Sequence, residues 1–189
     1  MIFSTSSITN QEKSYSPDMS RVIGDMQIFS IRHWQSICDL TLTLKQARKI
    51  VVPSGSPFIT SRETLVFGEE HQYKTTFQLF MSLLNRAVYG AAYRRYNKRL
   101  RVISVLEKKN DRWHFHAAIE SPAHLSNNDF KNPILENWSN TDWGYNDNVV
   151  RFGADPNWID FYTLKISQKD ELENWYDCIE WKSFHNPGC

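Results

Sequence analysis

The chain predicts an α+β fold, a central antiparallel sheet with flanking helices, and three observations carry that prediction. In Cys38–Leu44, Leu40, Leu42 and Leu44 alternate with Asp39, Thr41 and Thr43, the two-residue period of a half-buried strand. Two further runs, Leu100–Glu107 and Trp113–Glu120, are rich in β-branched or aromatic residues and flank a turn at Asn110-Asp111, which makes them a hairpin. From Lys74 to Asn97, Phe77, Phe80, Met81, Leu84, Val88 and Ala92 recur at spacings of three and four, the signature of an amphipathic helix. Strands arriving in runs, with helices outside them, imply an antiparallel sheet covered on one or both faces.

Composition bounds the rest. With 189 residues the chain is long enough for one well-cored domain, and 41% hydrophobic with 14% aromatic residues excludes a disordered class. Residues 1–20 are rich in Ser, Thr and Asn without periodicity and read as a flexible N-terminal tail; residues 21–189 read as a single domain. The net charge of +1 makes no global demand for a nucleic-acid partner, so any such preference must come from local clusters. The three cysteines form neither a zinc spacing nor a disulfide framework, which fits a reducing, cytoplasmic setting. No apolar run approaches the ~20 residues of a membrane span, so no membrane partner is expected. The N-terminus lacks the basic start and apolar core of a signal peptide.

In chain order, 26–31 is a short strand and Cys38–Leu44 a clearer one. Residues 46–73 are irregular, punctuated by Pro53, Gly55 and Pro57, with Arg48, Lys49 and Arg62 along the loop. Thr75 or Thr76 caps the helix that runs from 74 to 97. Its end is basic and aromatic together: Arg94, Arg95, Lys98, Arg99 and Arg101 are interleaved with Tyr93 and Tyr96. Such a mixture suits phosphate contact with base stacking, although a solvated face offsetting a helix C-terminus has the same composition. After the hairpin come a loop at Ser121-Pro122, a helix through Phe130, Ile134, Leu135 and Trp138, and a strand from Trp143 to Phe152 ended by Gly153. Asp155 as N-cap and Pro156 at the first helical position predict a helix from 156 to about 167, which would carry Tyr162 and Lys165 on neighbouring turns of one face. The stretch from Glu171 to Phe184 closes the sheet as a last helix or strand.

The hairpin also spells a metal site. His114 and His116 lie two apart in a strand, hence on one face and about 6.6 Å apart along the chain. A tight two-residue turn pairs Lys109 with Arg112, Lys108 with Trp113 and Glu107 with His114; directly opposed residues share a face with Cβ atoms about 5 Å apart. Glu107 is therefore the preferred third ligand. Glu120 is the second choice, on the same face but roughly 13 Å beyond His116. Buried histidines satisfied by hydrogen bonds are commoner than ligands; the facing glutamate is what favours a divalent ion with positions left open for a substrate.

Three stretches in order, Leu40-Thr-Leu-Thr-Leu44, His114-Phe-His116 with Glu107 upstream, and Tyr162-Thr-Leu-Lys165, resemble the three motifs of the HUH endonucleases, in particular the single-tyrosine rolling-circle replication initiators. The resemblance spans roughly residues 38 to 170. A single tyrosine sits in the third motif, preceded by Phe161, which departs from the two-tyrosine initiators and resembles the single-tyrosine class; no phosphate-binding loop of a helicase follows, so the expectation is one HUH domain without a helicase domain. What the resemblance implies is a ferredoxin- or RRM-like sheet of about five strands; one Mn²⁺ or Mg²⁺ ion held by Glu107, His114 and His116; and Tyr162 as the nucleophile, assisted by Lys165. The implied activity is nicking and joining of single-stranded or locally melted origin DNA through a covalent 5′-phosphotyrosine, with a helicase and a polymerase supplied by the host of a plasmid or phage. Rival readings are a single-tyrosine transposase or relaxase, and a non-catalytic RRM-like binding module.

Overall fold

The computed structural model describes residues 31–53, 61–156 and 178–187. The predicted strand at 26–31, for all but its last residue, and the predicted helix beyond Pro156 lie outside these residues. The elements in order are β1 (Ile37–Thr43), β2 (Ala47–Pro53), β3 (Ser61–Phe67), α1 (Glu70–Tyr89), α2 (Ala91–Tyr96), β4 (Val102–Lys109), β5 (Arg112–Glu120), α3 (Asn127–Ser139) and β6 (Val149–Phe152). The architecture is α+β. A four-stranded antiparallel sheet has the order β4-β5-β1-β6, and β2 and β3 form a separate two-stranded sheet. Among the described residues no helix is long and apolar enough to cross a membrane.

The alternation of β1 decides the sheet's two faces. Cys38, Leu40 and Leu42 join Val102, Leu106, Phe115, Ala117 and Ile119 beneath α1 and α3, which bring Phe77, Phe80, Leu84, Phe130, Ile134 and Trp138 to the same core. Its rings interlock at 4.6 Å between Phe77 and Phe115 and at 5.3 Å, edge to face, between Phe80 and Trp138. Each such fully buried side chain contributes about 1.5–3 kcal/mol, so this face anchors the fold. The opposite face carries a smaller cluster of Ile37, Ile103, Val105 and Ala118, against which Ile31, Trp34 and Ile179 pack. The remainder of that face belongs to Glu107, His114, His116, Thr41 and Thr43.

Several elements differ from the sequence expectation. Residues 46–73 are not irregular: β2 and β3 pair from Ala47↔Phe67 to Pro53↔Ser61. One face of this hairpin leaves Val51, Leu65 and Phe67 exposed, so its pattern lacked the buried stripe that marks a strand. The first helix begins at Glu70, before Thr75 and Thr76, and is closed by a reciprocal box in which Glu69 and Gln72 satisfy each other's backbone N–H. Thr75 and Thr76 sit inside it, their hydroxyls donating to the carbonyls of His71 and Gln72 at 2.8 Å. The helix ends at Tyr89, because Gly90 turns the chain at φ 54° and ψ −125°, a conformation that side chains disfavour. Only the short α2 follows, stopped by left-handed Asn97. The last strand is confined to Val149–Phe152, because Asn148 Oδ1 accepts the Thr43 N–H at 2.9 Å in place of a ladder partner. The closing segment, open between helix and strand in the sequence, touches the outer edge of β4 through bridges Val105↔Ile179 and Val102↔His185.

Candidate metal centre

The turn that builds the centre is tight. Asn110 and Asp111 both take positive φ, 50° and 59°, the backbone of a two-residue turn whose twist matches the flanking strands. The register follows: Lys109↔Arg112, Lys108↔Trp113 and Glu107↔His114. Alternation then puts His116 on the face of His114, with Glu107 directly opposite His114 and diagonal to His116.

The three side chains converge. Glu107 Oε2 lies 3.7 Å from Nε2 of His114 and 3.7 Å from Nε2 of His116, and one ligand atom from each residue lies within 4.8 Å of the others. The imidazoles stand edge to face at 4.8 Å between centroids. Neighbouring ligands on one small divalent ion are about 3 Å apart, so the side chains need draw in only slightly. Glu107 is 5% exposed and His116 8%, which makes this an acid facing two imidazoles in a largely dry place. Two nitrogens and a carboxylate oxygen are a donor set that a divalent transition metal or Mg²⁺ accepts.

The rings are oriented from behind. His116 Nδ1 lies 3.3 Å from Thr41 Oγ1, and His114 Nδ1 lies 3.3 Å from the Arg112 carbonyl. A carbonyl only accepts, so the second contact requires the proton on Nδ1, the tautomer in which Nε2 is the nitrogen that would ligate a metal. The sequence suggests sheet support or DNA contact for Thr41, and no catalytic role. Its alternation put the hydroxyl on one face of β1, but only the pairing Thr41↔His116, between strands far apart in the chain, brings it to the ring. Thr43, opposite His114, is held by other bonds: its hydroxyl donates to the Asp147 carbonyl at 2.8 Å.

Glu120 is elsewhere. Its carboxylate accepts from Arg101 at 3.1 Å and from the Gln35 N–H at 3.0 Å, so it serves the far end of β5. The structure brings Glu107, and not Glu120, to the two histidines.

Comparison with family models, with curated proteins and with solved structures finds no match to this chain.

Around the triad, a cleft of about 630 Å³ opens beside His114, lined by Lys45, Lys109, Arg112, Trp113, Tyr145 and, among others, Asp147. Tyr145 is 53% exposed there. Sequence reasoning passed over these residues because they come from three separate stretches, each unremarkable alone. The basic patch singled out in the sequence is at the other end of β4. Arg94, Arg95, Tyr96, Lys98 and Arg99 are exposed, Tyr93 and Arg101 partly so. Lys98 stacks on Tyr89 at 4.9 Å, and Arg99 lies 5.9 Å from the Tyr93 ring. From Val102 to Glu107 the strand spans roughly 17 Å, so this patch and the triad are separate places. Tyr162 and Lys165 lie outside the described residues. Of the described residues on either side of them, Ala154 and Cys178 both pack on the Ile103–Val105–Ala118 cluster, which shares its sheet face with the triad.

Proposed function

We propose that the protein is a metal-dependent single-strand DNA nickase and rejoining enzyme of the HUH type, acting at an origin in rolling-circle replication of a plasmid or phage. The observation that carries this reading is the Glu107–His114–His116 cluster, set on the sheet face away from α1 and α3 and opening beside a basic, aromatic cleft. A duplex does not bend into such a corner; a single strand does, with Lys45, Lys109 and Arg112 against its phosphates and Tyr145 or Trp113 against a base. The closing segment's bridges to the outer edge of β4 favour reading the sheet as five-stranded and RRM-like.

In this reading Glu107, His114 and His116 hold one Mn²⁺ or Mg²⁺ ion, which when bound polarises the scissile phosphate. Thr41 and the Arg112 carbonyl keep both rings turned inwards. Tyr162 attacks phosphorus through its phenolic oxygen; the bond to the 3′ oxygen breaks, that oxygen leaves as a hydroxyl, and the 5′ phosphate stays on the tyrosine. An unperturbed phenol titrates near 10, so Lys165 favours the phenolate or neutralises the phosphate. The ester retains the energy of the broken linkage, and a free 3′ hydroxyl reverses the step to rejoin the strand. The exposed patch Arg94–Arg101, with Tyr93 and Tyr96, lies further along as a second contact for the same DNA. Host helicase and polymerase complete replication.

The test is covalent trapping. The full chain, incubated with Mn²⁺ and a labelled single-stranded library, is expected to give a protein–DNA adduct on a denaturing gel. Tyr162→Phe is expected to abolish it. An adduct of undiminished yield from Tyr162→Phe would dismiss the nucleophile, and no adduct from the wild type with any origin-bearing library would dismiss the activity.

A further inference from the structure

The closing segment, 178–187, builds something the metal centre does not need. Its bridges to β4 bring Lys182, Ser183 and His185 beside the Gln78–Asn85 stretch of α1 and the chain entering β4. Between them lies a cavity of about 220 Å³, lined by Tyr93, Arg99, Lys182, Ser183 and His185 among others. None of its lining residues is acidic. Glu180, the nearest acid in the segment, is 2% exposed and turned to other work: it accepts from Gln78 at 2.8 Å and from the backbone N–H groups of Lys182 and Ser183 at 3.2 and 2.7 Å. Glu120 is engaged with Arg101. Asn85 is spent as well, donating to the Met81 carbonyl and accepting the Leu100 N–H, each at 2.7 Å. Among the described residues no carboxylate lies within ion-pair distance of Arg99 or Lys182. Arg99 uses its Nε on Asn97 at 2.8 Å, which steadies a guanidinium with four further donors.

We propose that this cavity is a binding site for a phosphate group, with Arg99, Lys182, Ser183 and His185 as its donors. A planar guanidinium, an ammonium, a hydroxyl and an imidazole supply charge-assisted bonds from several sides of a space large enough for a phosphate and part of what bears it. His185 reports the field inside. Burial first, then Arg99 and Arg101, hold it below the ordinary histidine value, and of these two guanidiniums only that of Arg99 lacks a carboxylate counter-charge among the described residues. A phosphate would supply that charge and favour protonated His185. The site stands at the end of β4 remote from Glu107, and its assignment does not rest on the nicking reading. The phosphate has two sources, a free or terminal monoester or the backbone of a bound strand.

The experiment uses the full chain in excess chelator, so that the candidate metal centre plays no part, and follows the histidine ring resonances by NMR against pH. Three additions are compared: inorganic phosphate, a single-stranded oligonucleotide without terminal phosphates, and sodium chloride at matched ionic strength. Phosphate or the oligonucleotide is expected to move the His185 midpoint to higher pH, saturably, while chloride does not. Arg99→Gln and Lys182→Gln, both at exposed positions, are each expected to weaken binding by about tenfold or more. A response to inorganic phosphate identifies the monoester source, and a response to the oligonucleotide alone identifies the backbone; either supports the site. It is overturned if neither moves His185, if chloride moves it equally, or if both variants bind as tightly as the wild type.

Discussion

Glu107 is the residue on which the metal centre turns, because it alone adds a negative donor to the two imidazoles. Its replacement removes both charge and a ligand, whereas Glu120 is occupied by Arg101 and the Gln35 N–H. By calorimetry, Glu107→Ala is expected to weaken Mn²⁺ binding far more than Glu120→Ala; equal losses would mean that the ion is held elsewhere. Thr41 acts one step back. With Nε2 of His116 on a metal its Nδ1 carries the proton, and the Thr41 oxygen 3.3 Å away is the acceptor that fixes the ring. Thr41→Val keeps the shape and loses the acceptor, so metal affinity is expected to fall by about tenfold or more with little change in fold, as titration and circular dichroism together would reveal. Both residues bear on legibility. Glu107 could be read from the sequence because its link to His114 runs through a tight turn whose register is local arithmetic. Thr41 could not, since its partner ring arrives from β5 by a pairing that nothing in either strand's composition specifies.

At the scale of elements the same division holds. Strongly periodic, one-face-buried segments announced themselves: β1, the β4–β5 hairpin, most of α1 and the Phe130–Trp138 face of α3. The β2–β3 hairpin did not, because Val51, Leu65 and Phe67 stand on its exposed face and its alternation never resolves into inside and outside. The break of the long helix was carried by one residue, Gly90, whose φ of 54° ends a pattern that apolar spacing would have continued. The closing segment is the element whose hold on the sheet is expected to respond to pH. His185 is held below its usual value of 6.5 by burial and by Arg99 and Arg101; Lys182 also lines its cavity, and the Glu180 carboxylate beside it is bonded to Gln78 and to the Lys182 and Ser183 N–H groups. A depressed histidine favours the neutral, docked form, so its contribution is complete above the unfolded value and is lost as pH falls through the folded one. Amide hydrogen exchange at Val102 and His185, corrected for intrinsic rates, is expected to quicken on going from neutral pH to mildly acid conditions. Unchanged protection across that interval would show that His185 does not couple to docking.

For the whole molecule, the sheet separates structure from chemistry: one face is closed by helices and aromatic rings, the other carries the triad, and its edges border two cationic hollows. An ion bound only by the folded chain adds stability by mass action, about 2.7 kcal/mol at a hundred times its dissociation constant. For a domain of this size that corresponds to a rise in Tm of about 5–10 °C. Saturating Mn²⁺ is expected to produce such a rise, chelator to reverse it, and His114→Ala to remove it; a rise of the same size in His114→Ala would locate the ion outside the triad. One consequence concerns the order in which the molecule assembles. All three donors lie on a single hairpin, so in the unfolded chain they are already near one another and closing that loop loses little entropy. Hairpins zip in about 1–10 μs, while β1 must be recruited from far upstream to complete the sheet. A cation present during synthesis therefore meets its ligands before Thr41 arrives, and can pin the strands in alignment while the remainder of the polypeptide is still searching for its place.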